Sequence, residues 1–211
     1  MANPKRQFKL TDAAILHTLV RTQPLATLVL SHAGELHVNH VPMYLHLTCG
    51  PHGTLVGHVA RANSVWPLLP QTAVAVFHGP QAYVSPSWYP SKALDGKQVP
   101  TWNYTTVHAH GRLIAVDDPK RLRTILHTLT QTHEAHRPHP WRLDDAPPDY
   151  TTQLLRAIVG IELAVERLEG TWKLSQNRTE TDQAGVVQGL MTEDSTAANS
   201  VAALMRCGQD G

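Results

Sequence analysis

Charge of one sign is what this chain has least of. Among its 211 residues, 18 Lys and Arg stand against 17 Asp and Glu, a formal net charge of +1 with neutral histidines. A chain-wide attraction for nucleic acid or an anionic membrane is therefore excluded, and only a local basic patch could serve. Cysteine is nearly absent too. Cys49 and Cys207 lie far apart and fit no paired-thiol motif, which points to a reducing, cytoplasmic setting. No run of about 18 apolar residues occurs, so no transmembrane helix and no membrane partner are expected. The opening MANPKRQFKLTD has charge without a following apolar segment, so no secretory signal is expected either. Also missing are G-x-G-x-x-G, G-x-x-x-x-G-K-S/T and G-x-S-x-G, which disfavours a dinucleotide Rossmann site, a P-loop and a serine-hydrolase elbow.

What is present is a 42% apolar share, enough to build a core in a chain sized for one domain or two small ones. Fourteen histidines stand out. The densest cluster is His133, Glu134, His136 and His139, but His133 and His136 are three apart rather than four, and Pro138 and Pro140 break any helix there. His108 and His110 share one side if TTVHAHGRL is a strand, yet no cysteine or carboxylate lies near them in sequence. The histidines therefore read as structural or surface residues, and no metal site is expected.

Hydrophobic periodicity sets out the elements. A helix is expected over 13–21, with Ile15, Leu16, Leu19 and Val20 as its stripe. Strands follow at 26–32, 36–47 and 54–60, the first two forming a hairpin. Residues 61–69 read as a short helix capped by Asn63 or Ser64. Two strands, 72–79 and 82–89, flank a Gly79-Pro80 turn, 90–100 is a loop, and 101–116 is one long strand bent near Gly111. Asp117 or Asp118 starts a helix reaching 135, with Pro119 in its first turn. A proline-rich connection, a helix over 149–159, a strand over 160–174 and a final helix ending near 191 complete the pattern. The expectation is one domain over 1–191 and a weakly ordered tail over 192–211, helical at most around 197–206. The fold class is α+β, mainly β: an antiparallel barrel of six or seven strands with peripheral helices.

Three stretches concentrate residues suited to chemistry. In GHVARANSVW (57–66) a strand ends, Arg61 follows and a helix is expected to begin, an arrangement that can hold a phosphate; a surface Arg beside an ordinary cap is the plainer reading. VSPSWYPSK and VPTWNY place Trp88, Tyr89, Trp102 and Tyr104 beside prolines, suited to a flat ligand or an interface as well as to packing. TWKLSQNR ends in a run of donors, Lys173, Ser175, Gln176, Asn177 and Arg178, able to serve a phosphate or a ring edge, or simply to cap the next helix.

Together the segments HVNHVPMYL, GTLVGHVARAN, AYVSPSWYPSK, VPTWNYTTVHAHGRL, LRAIVGIEL and EGTWKLSQNR closely resemble the PaiB-type family of FMN-binding negative transcriptional regulators, from about Phe8 to about Met191. The departures are Ser64 for a usual proline, Gln81 for a common histidine, Thr171 for a frequent lysine and Gln183 for an arginine. The resemblance implies an FMN-binding split barrel of the pyridoxamine-phosphate-oxidase-like type, a homodimer with each flavin at the subunit interface. It also implies that His58, Arg61 and Asn63 hold the phosphate and ribityl chain while Asn39 and His40 pass beside the isoalloxazine. Trp102, Asn103, Tyr104, Lys173, Ser175, Gln176 and Asn177 would come partly from the partner subunit.

The function the resemblance implies is negative transcriptional regulation of the PaiB type, with no catalytic residue assigned. DNA stays open as a partner without support from net charge; the nearest basic helix, KRLRTILHTL, is amphipathic enough to cover a barrel. The alternatives are a flavin-dependent oxidoreductase or haem-handling enzyme acting on a small substrate, and a dimeric flavin module with a protein partner.

Overall fold

Alternating burial builds most of this molecule. The computed structural model describes residues 6–48 and 50–207; the first five positions, Cys49 and the last four fall outside the described residues. The strands are β1 (Lys9–Leu10), β2 (Leu25–His32), β3 (Glu35–His46), β4 (Thr54–Ala60), β5 (Gln71–Val84), β6 (Thr101–Val116) and β7 (Ile158–Lys173). The helices are α1 (Ala13–Thr22), α2 (Lys92–Asp95), α3 (Pro119–Glu134), α4 (Pro148–Arg156), α5 (Glu180–Thr192) and α6 (Thr196–Cys207). The strands form one mainly antiparallel sheet in the order β1-β7-β4-β3-β2-β5-β6, and β6 also pairs with β7, closing the order on itself. Among the described residues no helix is long and apolar enough to cross a membrane.

The residues fall into two compact units. The larger comprises Ala13–Phe77 and His108–Leu168. On its strands every second side chain points inward, so Leu28, Met43, Leu55, Phe77, Ile161 and Leu163 are fully buried. α3 starts as expected, Asp118 accepting from Arg121 N–H at 2.8 Å with Pro119 following. It packs Ile125 and Leu129 with Val56 and Val116.

The smaller unit comprises Met1–Asp12, His78–Val107 and Glu169–Gly211. Its core joins Val84, Tyr89, Val186 and Leu190 to Val201, Ala202 and Met205 of α6. Within the stretch expected as a tail, the helix expected around 197–206 spans Thr196–Cys207, and one face of it lies in the core. The 90–100 loop contains one helical turn, α2, ended by Gly96 at φ +67°. Buried Asp182 on α5 pins that loop, accepting from Ser91 N–H at 3.0 Å and Ser91 Oγ at 2.8 Å.

Two further expectations are corrected. The strands expected at 72–79 and 82–89 are one, β5, running straight through Gly79-Pro80. Pairing with β2 involves only Ala73–Val76, so Pro80 lies past that ladder and its missing N–H costs nothing there. Residues 61–69 form no α-helix. Asn63 Oδ1 accepts from Val65 N–H at 2.8 Å, closing a local turn, and only Trp66–Leu68 is helical, as a single 3-10 turn. Pro70 then holds Leu69 in the extended region.

Candidate functional site

In the larger unit, the two asparagines expected at the site meet although 24 positions apart: Asn63 Nδ2 donates to Asn39 Oδ1 at 2.8 Å. Asn39 and His40 stand on β3 opposite Leu28 and Thr27 of β2, His40 exposed and Asn39 half-buried. On β4, alternation turns Thr54, Val56 and His58 outward, away from Leu55, Gly57 and Val59. Opposite His58 is Gly160, where a Cβ would come within 3.2 Å of Ile125, Leu122 and the Val116 carbonyl. That position needs glycine because α3 lies directly over the row. His58 Nδ1 is buried with no hydrogen-bond partner among the described residues, and burial lowers the pKa of the ring, so the imidazole is neutral at pH 7.

Arg61 is more heavily engaged than a phosphate ligand at a helix start would be. Its Nε donates to the Arg156 carbonyl at 2.8 Å, Nη2 to the Ile158 carbonyl at 3.0 Å, and Nη1 to Asp117 Oδ2 at 3.1 Å. Nη2 also pairs with Asp117 Oδ1. The Asp117 hydrogen bond raises the Arg61 pKa, and Arg61 in turn lowers that of Asp117. Trp66 Nε1 donates to the Arg61 carbonyl at 2.8 Å and its ring lies 5.7 Å from the guanidinium. The side chain thus ties the end of β4 to the start of β7.

In the smaller unit, WNY on one strand separates onto two faces. Trp102 and Tyr104 lie on the outward side, and Asn103 on the inward side is fully buried. Trp102 is 52% exposed and meets Tyr83, 46% exposed, edge-on at 6.2 Å. Lys173 Nζ donates to Thr101 Oγ1 at 2.6 Å and the Trp102 carbonyl at 2.8 Å, with the Tyr104 ring 6.0 Å away. Burial first, then Arg178, lowers the Lys173 pKa. Asn103 and Ser175 are spent on each other, at 3.0 and 3.2 Å, and Asn103 Nδ2 also reaches Met205 Sδ at 3.4 Å. Both are buried in the core of the smaller unit. Gln176 closes its own turn, donating to the Trp172 carbonyl at 2.5 Å and accepting from Leu174 N–H at 2.7 Å, while Asn177 is exposed.

Sequence reasoning missed Tyr83, which carried no signal beyond lying in AYVSPSWY, and Asp117, read only as a helix start. It did place His108 and His110 on one side of β6, where their rings lie 6.3 Å apart.

The residues fit a flavin mononucleotide. A buried ring nitrogen without a protein partner leaves a hydrogen-bonding position for a water or a bound group. Exposed aromatic faces beside an ammonium suit a flat anionic heteroaromatic.

Comparison with known proteins agrees. The fold is the flavin-binding split barrel. It resembles the flavocytochrome Anf3 of Azotobacter vinelandii, with TM-score 0.62 and 14% identity over 87% of this chain and 78% of that one. It also resembles an FAD and heme binding protein of Mycobacterium smegmatis, with TM-score 0.61 and 17% identity over 83% of this chain and 78% of that one. Residues 2–167 match the family described as "Putative FMN-binding domain". The "Protease synthase and sporulation protein PAI 2" of Bacillus subtilis is 32% identical over 202 residues, 95% of this chain and 94% of that protein. An uncharacterized protein of Emericella nidulans is 30% identical over 230 residues, 92% of each chain. The chain belongs to the PaiB-type FMN-binding family, and FMN is its cofactor.

Proposed function

We propose that this protein is an FMN-binding homodimer acting as a negative regulator of the PaiB type. The observation that carries the dimer is an uncovered apolar sheet face in the larger unit. Val38, Val29 and Val74 form one row across β3, β2 and β5, with His40, Thr27 and Val76 in the next. Leu36 extends the face at 73% exposure and Val38 is 56% exposed. Outward apolar rows on a sheet mark an interaction surface. His40 stands on this face and Asn39 turns to the opposite one, so a flavin placed there would meet one chain's His40 and His58, with Asn39 beside it only through its backbone and Arg61 and Asn63 in the loop after β4. The partner's second set, Trp102 and Lys173 foremost, would close over it. When bound, FMN supplies a redox-active ring; the chain's own residues bind and orient it.

The regulatory half of the reading rests on likeness to the Bacillus protein, whose name ties it to protease synthesis and sporulation. Direct DNA contact through α3 has little charge behind it. Arg121 is paired with Glu162 and Arg123 with Asp144. A gel-shift assay at stated salt tests this; no shift with genomic fragments at micromolar dimer removes direct DNA binding. The visible absorbance of the purified protein tests the flavin itself.

A flavin-dependent redox activity is the second reading, favoured by the exposed Tyr83–Trp102 pair. Anaerobic NADH or NADPH should then bleach the bound flavin, and persistent oxidised absorbance with both donors rejects it.

A further inference from the structure

One row along β4 from His58, and made of residues other than those assigned to the flavin, the larger unit has a concave site. Beneath the first two turns of α3 lies a cleft of about 440 Å³, within the range of small-molecule sites. Its floor is a cross-strand row, Tyr44 opposite Val56 and Val56 opposite Glu162, with His46 opposite Thr54 in the row beside it. Its roof is one side of α3, formed by Lys120, Arg121, Thr124 and Ile125.

Glu162 is the informative member. Its neighbours Ile161 and Leu163 are fully buried, and Glu162 itself is 7% exposed at the cleft floor. The desolvation cost is offset by Arg121, whose Nε and Nη2 reach the two oxygens at 2.8 and 2.6 Å. Apolar side chains would hold α3 to the sheet as well or better, so strength alone does not explain the pair. What it does provide is a guanidinium fixed at the cleft wall. Lys120 beside it has no acidic partner among the described residues. With Glu162 neutralised by Arg121, the cleft keeps one positive charge. It shares Tyr44 and His46 with a hollow of about 370 Å³ where Met43, Leu45 and Leu47 lie alongside Arg21, Thr128 and His133. The trough thus has Lys120 and the Arg121–Glu162 pair at one end, and apolar side chains mixed with Arg21 and three threonines at the other.

We propose that this trough binds a small organic monocarboxylate as an effector. The carboxylate meets Lys120 beside the Arg121–Glu162 pair, and an aromatic or branched apolar body lies over Val56, Ile125 and Tyr44 toward Leu45. The inference does not depend on the flavin assignment.

The test is calorimetric titration of the full-length protein, with its bound flavin, by 3-phenylpropanoate and by the neutral amide of that acid. Saturable binding of the acid is expected, with the amide at least about fivefold weaker. Lys120→Ala should weaken the acid about tenfold or more, and Thr124→Phe, which fills the mouth from an exposed helix position, should abolish binding. Both variants should keep wild-type flavin absorbance and melting temperature. No saturable binding, equal binding by the amide, or unchanged binding in both variants overturns the proposal. So does release of flavin during the titration, which would put the acid in the flavin site.

Discussion

Arg61 donates to Asp117 and to the carbonyls of Arg156 and Ile158, so a phosphate can take its fork only if Asp117 turns away. Two roles are thus superimposed on one side chain, and flavins with and without a phosphate separate them. Arg61→Ala should weaken FMN at least about tenfold while leaving riboflavin nearly unchanged. Equal loss of both flavins, with a lower melting temperature, would leave Arg61 only as a strand clamp. His58 gives a pH dependence. Burial holds its pKa below the ordinary 6.5, so the unfolded chain takes up the proton first as pH drops. Stability contributed by the neutral ring is present above about 6.5 and falls as pH descends through and below that value. His58→Gln should flatten this limb in urea unfolding followed from pH 8 to pH 5, and an unaltered limb would show that another group governs it. At this scale the residue types were legible in the sequence and their partners were not. Trp102, Asn103 and Tyr104 were picked together, yet strand alternation sends only the outer two to the surface.

α6 is the element whose importance a sequence pattern understates. Its buried positions are Ala198, Val201, Ala202 and Met205, spaced for one helical face but mostly small, so the stripe has low contrast against its neighbours. Met205→Ala should lower stability by about 2–5 kcal/mol, the range for a buried methionine reduced to alanine. Guanidinium unfolding measures it, and a change below half a kilocalorie would mean that α6 adds nothing to the core. The contact between α5 and the Pro86–Trp88 turn is equally close. A Cβ at Gly189 would come 2.2 Å from the Trp88 ring, and one at Gly185 would come 2.2 Å from the Trp88 carbonyl. Gly189→Ala should therefore push Trp88 outward and red-shift its fluorescence. Elements with strong periodicity, β2, β3, β4, β6 and α3, were read within a few residues of their bounds. The misread ones hung on local punctuation. Gly79-Pro80 looks like a turn but lies in a strand beyond its β2 ladder, and RANSVW looks like a helix start but closes on the Asn63 side chain.

At the scale of the whole molecule, the question is what covers the apolar rows of β3, β2 and β5. If a second copy does, Val38→Glu should convert the dimer to monomer in sedimentation velocity and reduce flavin retention, because the charge would be buried at the interface. A monomeric wild type with full flavin content would reject the dimeric site. The sequence by itself determined the family, the cofactor and most of the strands, because hydrophobic alternation and long local motifs are properties of contiguous residues. It also showed that net charge offers no general affinity for nucleic acid. Only the tertiary structure decided that Arg61 is held by Asp117, that Asn103 faces Ser175 in a core, and that Arg121 binds a buried Glu162. Those pairs join residues 41 to 72 positions apart. No local pattern encodes them; they exist because strand pairing and helix packing bring distant side chains within hydrogen-bond reach.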